Sequence, residues 1–283
     1  MVVEMTQTQR EDLVLQLNNA LELERKVVGV KLLYTKEEFD GAGVSSLTGY
    51  LPYCTMVKSA CSGASFKAAD KNFGCFGASI ALHTAELEDL FSETGVEYFT
   101  SGQQALDQYY MFKDVVAAKN MVDKLVILDE KAYGVMLRPL ECFEEDPDVV
   151  IIVSNSYNAM RILQGYGYEY GTFSNFRLAG LQALCSETTA YPLKNKNINV
   201  SMLCAGTRQN CKWGRDEISI GIPYDRFAAI VNGVNMTINP LERDGDKKRI
   251  EENMNHTGKN VIDIEYGKNY DTGCYLFGEG IPH

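Results

Sequence analysis

The chain has 283 residues, 45% of them hydrophobic, so it can bury a substantial core as one large domain or two joined halves. With 27 Lys and Arg against 38 Asp and Glu, its net charge is −11. No dense basic block offsets that charge, which argues against nucleic acid or an anionic membrane surface as the main partner.

The opening "TQREDLVLQLNNALELERK" places Leu13, Leu17, Ala20 and Leu21 on one face, predicting an amphipathic helix. "VVGVKLLY" (27–34) is a β-branched run suited to a buried strand, and "DGAGVSSLTGY" follows as a loop. Pro52 sits where the first turn of a helix through "PYCTMVKSACS" would begin, with Gly63 as its stop. A short strand is expected at 97–102 and a helix over 103–122. "YGVMLRPL" reads as a strand ending near Pro139, and the acidic "ECFEEDPD" as a solvated loop. "VVIIVSN" (149–155) is the strongest strand signal and opens a second half. A helix through "YNAMRILQG" leads to "GYGYEYGTFSNF", read as an aromatic, Gly-rich loop. A helix through "RLAGLQALCSE", the strand "INVSML", a loop, the strand "EISIGI" and the helix "PYDRFAAIVNGV" complete that half. Beyond Asn235, "ERDGDKKRIEENMN" reads as a solvated helix before a tail.

The expected class is mixed α/β, with two pseudo-repeated strand–helix halves at 1–140 and 141–235 packed around a shared interface and a C-terminal segment at 236–283. The halves are expected to form one compact domain. Each offers a β-branched strand, a helix-borne cysteine and, about twenty residues on, a second cysteine before x-Gly-small. The spacings are C-x20-C for Cys54 and Cys75, and C-x18-C for Cys185 and Cys204.

No apolar run reaches the roughly 18 residues that span a bilayer, and "MVVEMTQTQRED" carries no signal-peptide pattern. A cytoplasmic location with no membrane partner is therefore expected. In a reducing compartment eight cysteines mean packed thiols, a reactive thiol or metal ligands. None forms a C-x-x-C pair, which removes the usual zinc knuckle and the thioredoxin motif. If the halves face each other, Cys54, Cys75, Cys185 and Cys204 could converge as four thiolates, a set that suits a [4Fe–4S] cluster or a tetrahedral zinc ion. Gly77 and Gly206 after the strand-end cysteines would let backbone N–H groups approach the sulfurs. Cys61 follows Cys54 by seven residues, about 10 Å along a regular helix, so both are not expected at one small centre. Cys211 is the best substitute ligand.

"VVGVKLLY", "YCTMVKSA", "CFGASIAL", "DPDVVIIVSNSYNAM", "LCSETTAYP", "NVSMLCAGTR" and "DEISIGIPYDRF" together resemble the domain of unknown function 169 family, bacterial and archaeal proteins common in anaerobes, over residues 20 to 235. The resemblance implies that the pattern's cysteines are Cys54, Cys75, Cys185 and Cys204, with Cys61, Cys142, Cys211 and Cys274 particular to this chain. Arg208 and Glu217 match polar positions of the pattern, whereas Phe76 departs from it by its bulk. The pattern implies a cysteine set and not a reaction.

Arg208, four residues after Cys204, could balance a thiolate centre or hold an anionic substrate; the competing reading is a salt bridge with Glu217 or Asp216. Tyr166 and Tyr168 could stack on a flat ligand, against the plainer reading of a loop packed by its own aromatic rings. Trp213 could cover a site or cap the core. Only three histidines exist, His83, His256 and His283, and P-loop, G-x-S-x-G and H-E-x-x-H motifs are missing, so hydrolytic chemistries lack their usual parts. The expected function is a [4Fe–4S] protein, a redox enzyme or electron-transfer component. It would act on a small molecule or with a redox partner protein, and homo-oligomers are compatible with this reading. The alternatives are a zinc or metal-trafficking thiolate protein and a non-catalytic ligand-binding module.

Overall fold

The computed structural model describes residues 5–87, 112–171 and 175–269. The strand expected at 97–102, residues 103–111 of the expected helix, Cys274 and His283 lie outside them. The described chain runs α1 (Gln7–Leu21), β1 (Val28–Leu33), α2 (Lys36–Gly41), α3 (Tyr53–Cys61), β2 (Phe66–Ala69), α4 (Phe76–Ala81), α5 (Val115–Val122) and β3 (Gly134–Pro139). It continues with β4 (Val149–Ser154), α6 (Ser156–Tyr170), a π-helix (Ala183–Ala190) prolonged by α7 (Tyr191–Asn195), β5 (Asn199–Ser201), α8 (Ala205–Cys211) and β6 (Ile218–Pro223). Helices α9 (Tyr224–Met236), α10 (Ile238–Leu241) and α11 (Asp244–Thr257) close it.

Among the described residues six strands form one open sheet in the order β2-β3-β1-β4-β6-β5, and every pairing between these strands is antiparallel. The central ladder pairs β1 with β4, with Gly29 opposite Val150, Val28 opposite Ile151 and Val30 opposite Val149. Outward from it, the strand order is β1, β3, β2 on one side and β4, β6, β5 on the other. Registers correspond as well: Val28 faces Pro139 and Val149 faces Pro223. Just past those prolines, Leu140 N donates to Val27 O at 2.8 Å and Tyr224 N to Asp148 O at 3.1 Å. The expected repeat is not established: α3 is a regular α-helix, whereas Cys185 rides on a π-helix.

Both faces of the sheet are covered, which is why β4 reads as an unbroken apolar run rather than an alternating one. Val149, Ile151 and Val153 pack with α3, α4 and the π-helix; Val150 and Ile152 pack with α1, α6, α9 and α11. Among the described residues, all the buried cysteines belong to the first of these cores. Among the same residues no helix is long and apolar enough to cross a membrane.

Three expectations are corrected. "GYGYEYG" is not a loop: residues 165–170 are the C-terminal turns of α6. Its Gly165 serves close helix packing, because a Cβ there would lie 2.7 Å from Val234 N, and one on Gly233 would lie 2.1 Å from Gly165 O. The helix expected across 177–187 starts only at Ala183, since Gly180 (φ 67°) and Gln182 (φ 53°) take left-handed conformations that break it. The loop expected after Cys204 is instead α8, with Cys211 as its last residue. Strand β2 and helix α2 are not among the expected elements, although Thr35 and Glu38 at the start of α2 form a capping box.

Candidate cysteine centre

Helix α3 begins after Pro52 and carries Cys54 in its first turn, buried at 8% exposure. Cys75 is the N-cap of α4, where backbone N–H groups of Ala78 and Gly77 point at its sulfur. Cys204 is the N-cap of α8, and its Sγ accepts from Thr207 N at 3.4 Å, as a serine hydroxyl would at this position. Cys185 lies in the π-helix, held by backbone-level contacts. Thr189 Oγ1 donates to Leu184 O at 2.6 Å, and a Cβ on Gly221 would lie 2.2 Å from Thr188 O. Tyr53 Oη stands 3.0 Å from Thr189 Oγ1, tying α3 to the π-helix.

These elements bring the thiols together. Cys54 lies beside both Cys204 and Cys211, with Cys185 also in its surroundings. Cys185 in turn has Cys75 and Cys204 close by. Thr207 Oγ1 lies 2.9 Å from Cys54 Sγ and 3.0 Å from Cys204 Sγ, and Thr55 Oγ1 lies 2.9 Å from Cys211 Sγ. Cys75 and Cys204 are half-buried, so the cluster opens to solvent on their side.

The contacts divide the protons. Donation from Cys54, then bonds from the Thr207 hydroxyl and N–H and from Ala183 N–H, bring the Cys204 thiol down to about 5 against burial. Cys211 is lowered to about 6 by Cys54, Thr55 and nearby Lys58. Cys54 moves the opposite way, because its single proton is drawn to Cys204 or to Cys211, one at a time, and the thiol is buried. Burial, with Cys75 and Cys204 close by, raises Cys185, and burial raises Cys75. The lowered Cys204 and Cys211 thus sit beside the raised Cys54, Cys75 and Cys185, and a lowered thiol is the more nucleophilic kind. As they stand the thiols do not form a coordination sphere: among the described residues no group of three or more His, Cys, Asp or Glu is arranged to hold a metal ion.

The remaining candidates are placed as follows. Gly77 is part of the Cys75 turn, while Gly206 faces open space, where a Cβ would have only Asn210 Nδ2 as near as 4.0 Å. Arg208 spends its guanidinium on main-chain oxygens, reaching Met202 O at 2.7 Å, Glu217 O at 2.8 Å and Gly214 O. Glu217 pairs with Arg25 and accepts from Gly214 N. The cysteine whose electrostatic surroundings include Arg25 and Glu217 is Cys61, pushed up to about 12 chiefly by burial. Trp213 is buried between Arg25 and Lys58, 4.8 Å and 5.3 Å from its ring. Tyr166 and Tyr168 ride on α6, across the sheet from the cysteines; the Tyr166 hydroxyl donates to Asn197 Oδ1 at 2.6 Å, and Tyr168 is exposed. His83 adopts φ 49° after α4 and places Nδ1 2.9 Å from Leu128 O.

Sequence reasoning missed Thr207, Thr55 and Gln182. For Thr207 a signal existed, because a side chain at the N-cap is satisfied from three residues on, and "CAGT" has that spacing. Gln182 had none, since its place depends on a left-handed backbone.

The fold and this site define an α/β protein with a six-stranded antiparallel sheet and a multi-cysteine cluster under one face. The family model described as DUF169, Uncharacterised ArCR, matches residues 16–233, and the chain belongs to that family. It is 26% identical over 214 residues to the Uncharacterized protein MJ0308 of Methanocaldococcus jannaschii, a match covering 75% of this chain and 88% of that protein. No solved structure matches it.

Proposed function

We propose that this protein binds a [4Fe–4S] cluster through Cys54, Cys75, Cys185 and Cys204 and works in electron transfer or as a redox enzyme on a small molecule. The observation that carries this reading is the convergence of thiols from α3, α4, the π-helix and α8, with Cys204 and Cys211 lowered toward the thiolate form a metal requires. Loading such a centre would release the protons now held by Cys54, Cys75 and Cys185, so uptake should strengthen with pH. Amide N–H groups at the sulfurs of Cys75, Cys185 and Cys204 are the donors that stabilise charged cluster sulfur. The corresponding strand order of the two halves supports the pairing of Cys54 with Cys185 and of Cys75 with Cys204. When bound, the cluster would supply one-electron chemistry. The half-buried Cys75 and Cys204 mark the side from which electrons or substrate would reach it.

The test is anaerobic purification and reconstitution with iron and sulfide, with iron, sulfide and zinc quantified. A brown protein holding about four irons, lost in Cys54→Ser, Cys75→Ser, Cys185→Ser and Cys204→Ser but kept in Cys61→Ser, is the expected result. A colourless protein with stoichiometric zinc would replace the redox reading with a zinc thiolate site. A colourless, metal-free protein would leave a ligand-binding module with packed cysteines.

A further inference from the structure

Beside the cysteines lies a buried side chain that the protein leaves unsatisfied. Gln182 is only 8% exposed, yet neither its Nε2 nor its Oε1 has a hydrogen-bond partner. Its backbone carbonyl accepts from Ser186 N at 2.9 Å and from Glu187 N at 3.1 Å at the start of the π-helix. It also holds a left-handed conformation, φ 53°, unfavourable for a residue with a Cβ. Burying an amide with nothing to bond is costly, so its placement calls for a partner.

The surroundings of that amide are the cysteine turns. Gly77, whose N–H points at Cys75 Sγ, closes on it so tightly that a Cβ there would lie 2.8 Å from Gln182 Nε2. Ala183, the next residue, directs its N–H at Cys204, and Cys185 follows close behind in the π-helix. Gln182 is thus bracketed by the segments that carry three of the four proposed ligands. The thiols themselves do not reach its amide. A single ion held by four thiolates adds no acceptor beyond those sulfurs, whereas an iron–sulfur cluster adds bare sulfides at its corners.

We propose that Gln182 Nε2 donates a hydrogen bond to an inorganic sulfide of the cluster bound by Cys54, Cys75, Cys185 and Cys204, and thereby raises the cluster's reduction potential. This rests on the iron–sulfur reading. A neutral donor stabilises the more negative, reduced cluster more than the oxidised one, so hydrogen bonds to cluster sulfur favour reduction. Gln182 is a positioning and tuning residue rather than a ligand.

The experiment is an electron paramagnetic resonance titration with dithionite on reconstituted full-length protein, comparing wild type with Gln182→Leu, Gln182→Glu and Gly77→Ala. Gln182→Leu should shift the reduction equilibrium roughly tenfold toward the oxidised form, about 59 mV for one electron. Gln182→Glu should shift it the same way and further, because a carboxylate opposes added negative charge. Gly77→Ala should also shift it that way, because the new methyl displaces the amide while leaving residue 182 intact. If Gln182→Leu fails to fold, the other two variants carry the measurement. Wild type that takes up no cluster overturns the iron–sulfur reading and this inference with it. Wild type that loads normally, with all folded variants at the wild-type potential, overturns the inference alone.

Discussion

The hydroxyl of Thr207 lies 2.9 Å from the sulfur of Cys54, although 153 residues separate them in the chain. The same oxygen stands 3.0 Å from Cys204 Sγ. A hydroxyl has one proton, so it serves one sulfur at a time, and it joins the helix that carries Cys54 to the turn that presents Cys204.

Thr207→Val keeps the shape of the side chain and removes that hydroxyl. The Cys204 thiol, now at about 5, should titrate higher in the variant and remain below an ordinary thiol, because Cys54 and the N–H groups of residues 207 and 183 still bond to it. The pH dependence of iodoacetamide labelling, with Cys204 followed by peptide mass spectrometry, reads the shift. An unchanged midpoint would remove Thr207 from the network.

The lowered thiols make the stability of the metal-free protein depend on pH. Cys204 is depressed to about 5 and Cys211 to about 6 in the folded chain, against about 8.5 for an unfolded cysteine. Their contribution is therefore complete above the unfolded value and is lost as pH falls through 6 and then 5. Each group adds at most about 1.4 kcal/mol per pH unit within its window. Urea unfolding under reducing conditions should show stability rising from pH 5 to pH 8, less steeply in Cys204→Ser. Above that range the raised Cys54 and Cys185 act in the opposite sense. An identical slope in Cys204→Ser and wild type would contradict the assignment.

Gly221 and Gly206 should respond differently to the same methyl group. At Gly221 a Cβ would meet the Thr188 main chain at 2.2 Å, so Gly221→Ala must push the π-helix off β6. A loss of about 1–3 kcal/mol and weaker metal uptake through misplaced Cys185 are expected. Gly206→Ala enters open space on α8 and should leave thermal stability at or slightly above wild type. Differential scanning calorimetry and iron content distinguish the two; equal behaviour would mean that the π-helix does not depend on this close approach.

Across the sheet, Arg161 and Glu242 form an ion pair at 2.5 Å with side chains 1% and 2% exposed. Arg161→Leu strands the carboxylate, leaving it the Tyr157 hydroxyl at 2.6 Å. Such truncation should destabilise by about 3–5 kcal/mol, and Arg161→Leu/Glu242→Leu by clearly less. Because this pair belongs to the other side of the sheet, metal content per folded molecule should not change in either variant. Chemical denaturation of both variants tests the first expectation, and metal analysis the second.

Most strands and long helices are legible along the chain: apolar periodicity marks the amphipathic helices, and β1, β3, β4 and β6 fall where short apolar runs end at turns or prolines. The four patterned cysteines are legible too, from spacing and from the family resemblance. Other features belong to contacts between distant residues and leave no local mark. The glycines of "GYGYEYG" have the composition of a loop, whereas Gly165 is the contact point with Gly233 on α9. The π-helix, the Thr207 link to Cys54 and the unpaired Gln182 exist only once β1 and β4 pair and bring the cysteine-bearing helices together under one face of the sheet. Local propensity and the number of thiols are written in the order of residues, but the proton that Cys54 shares with Cys204 and Cys211 is set by distances that only the folded chain creates.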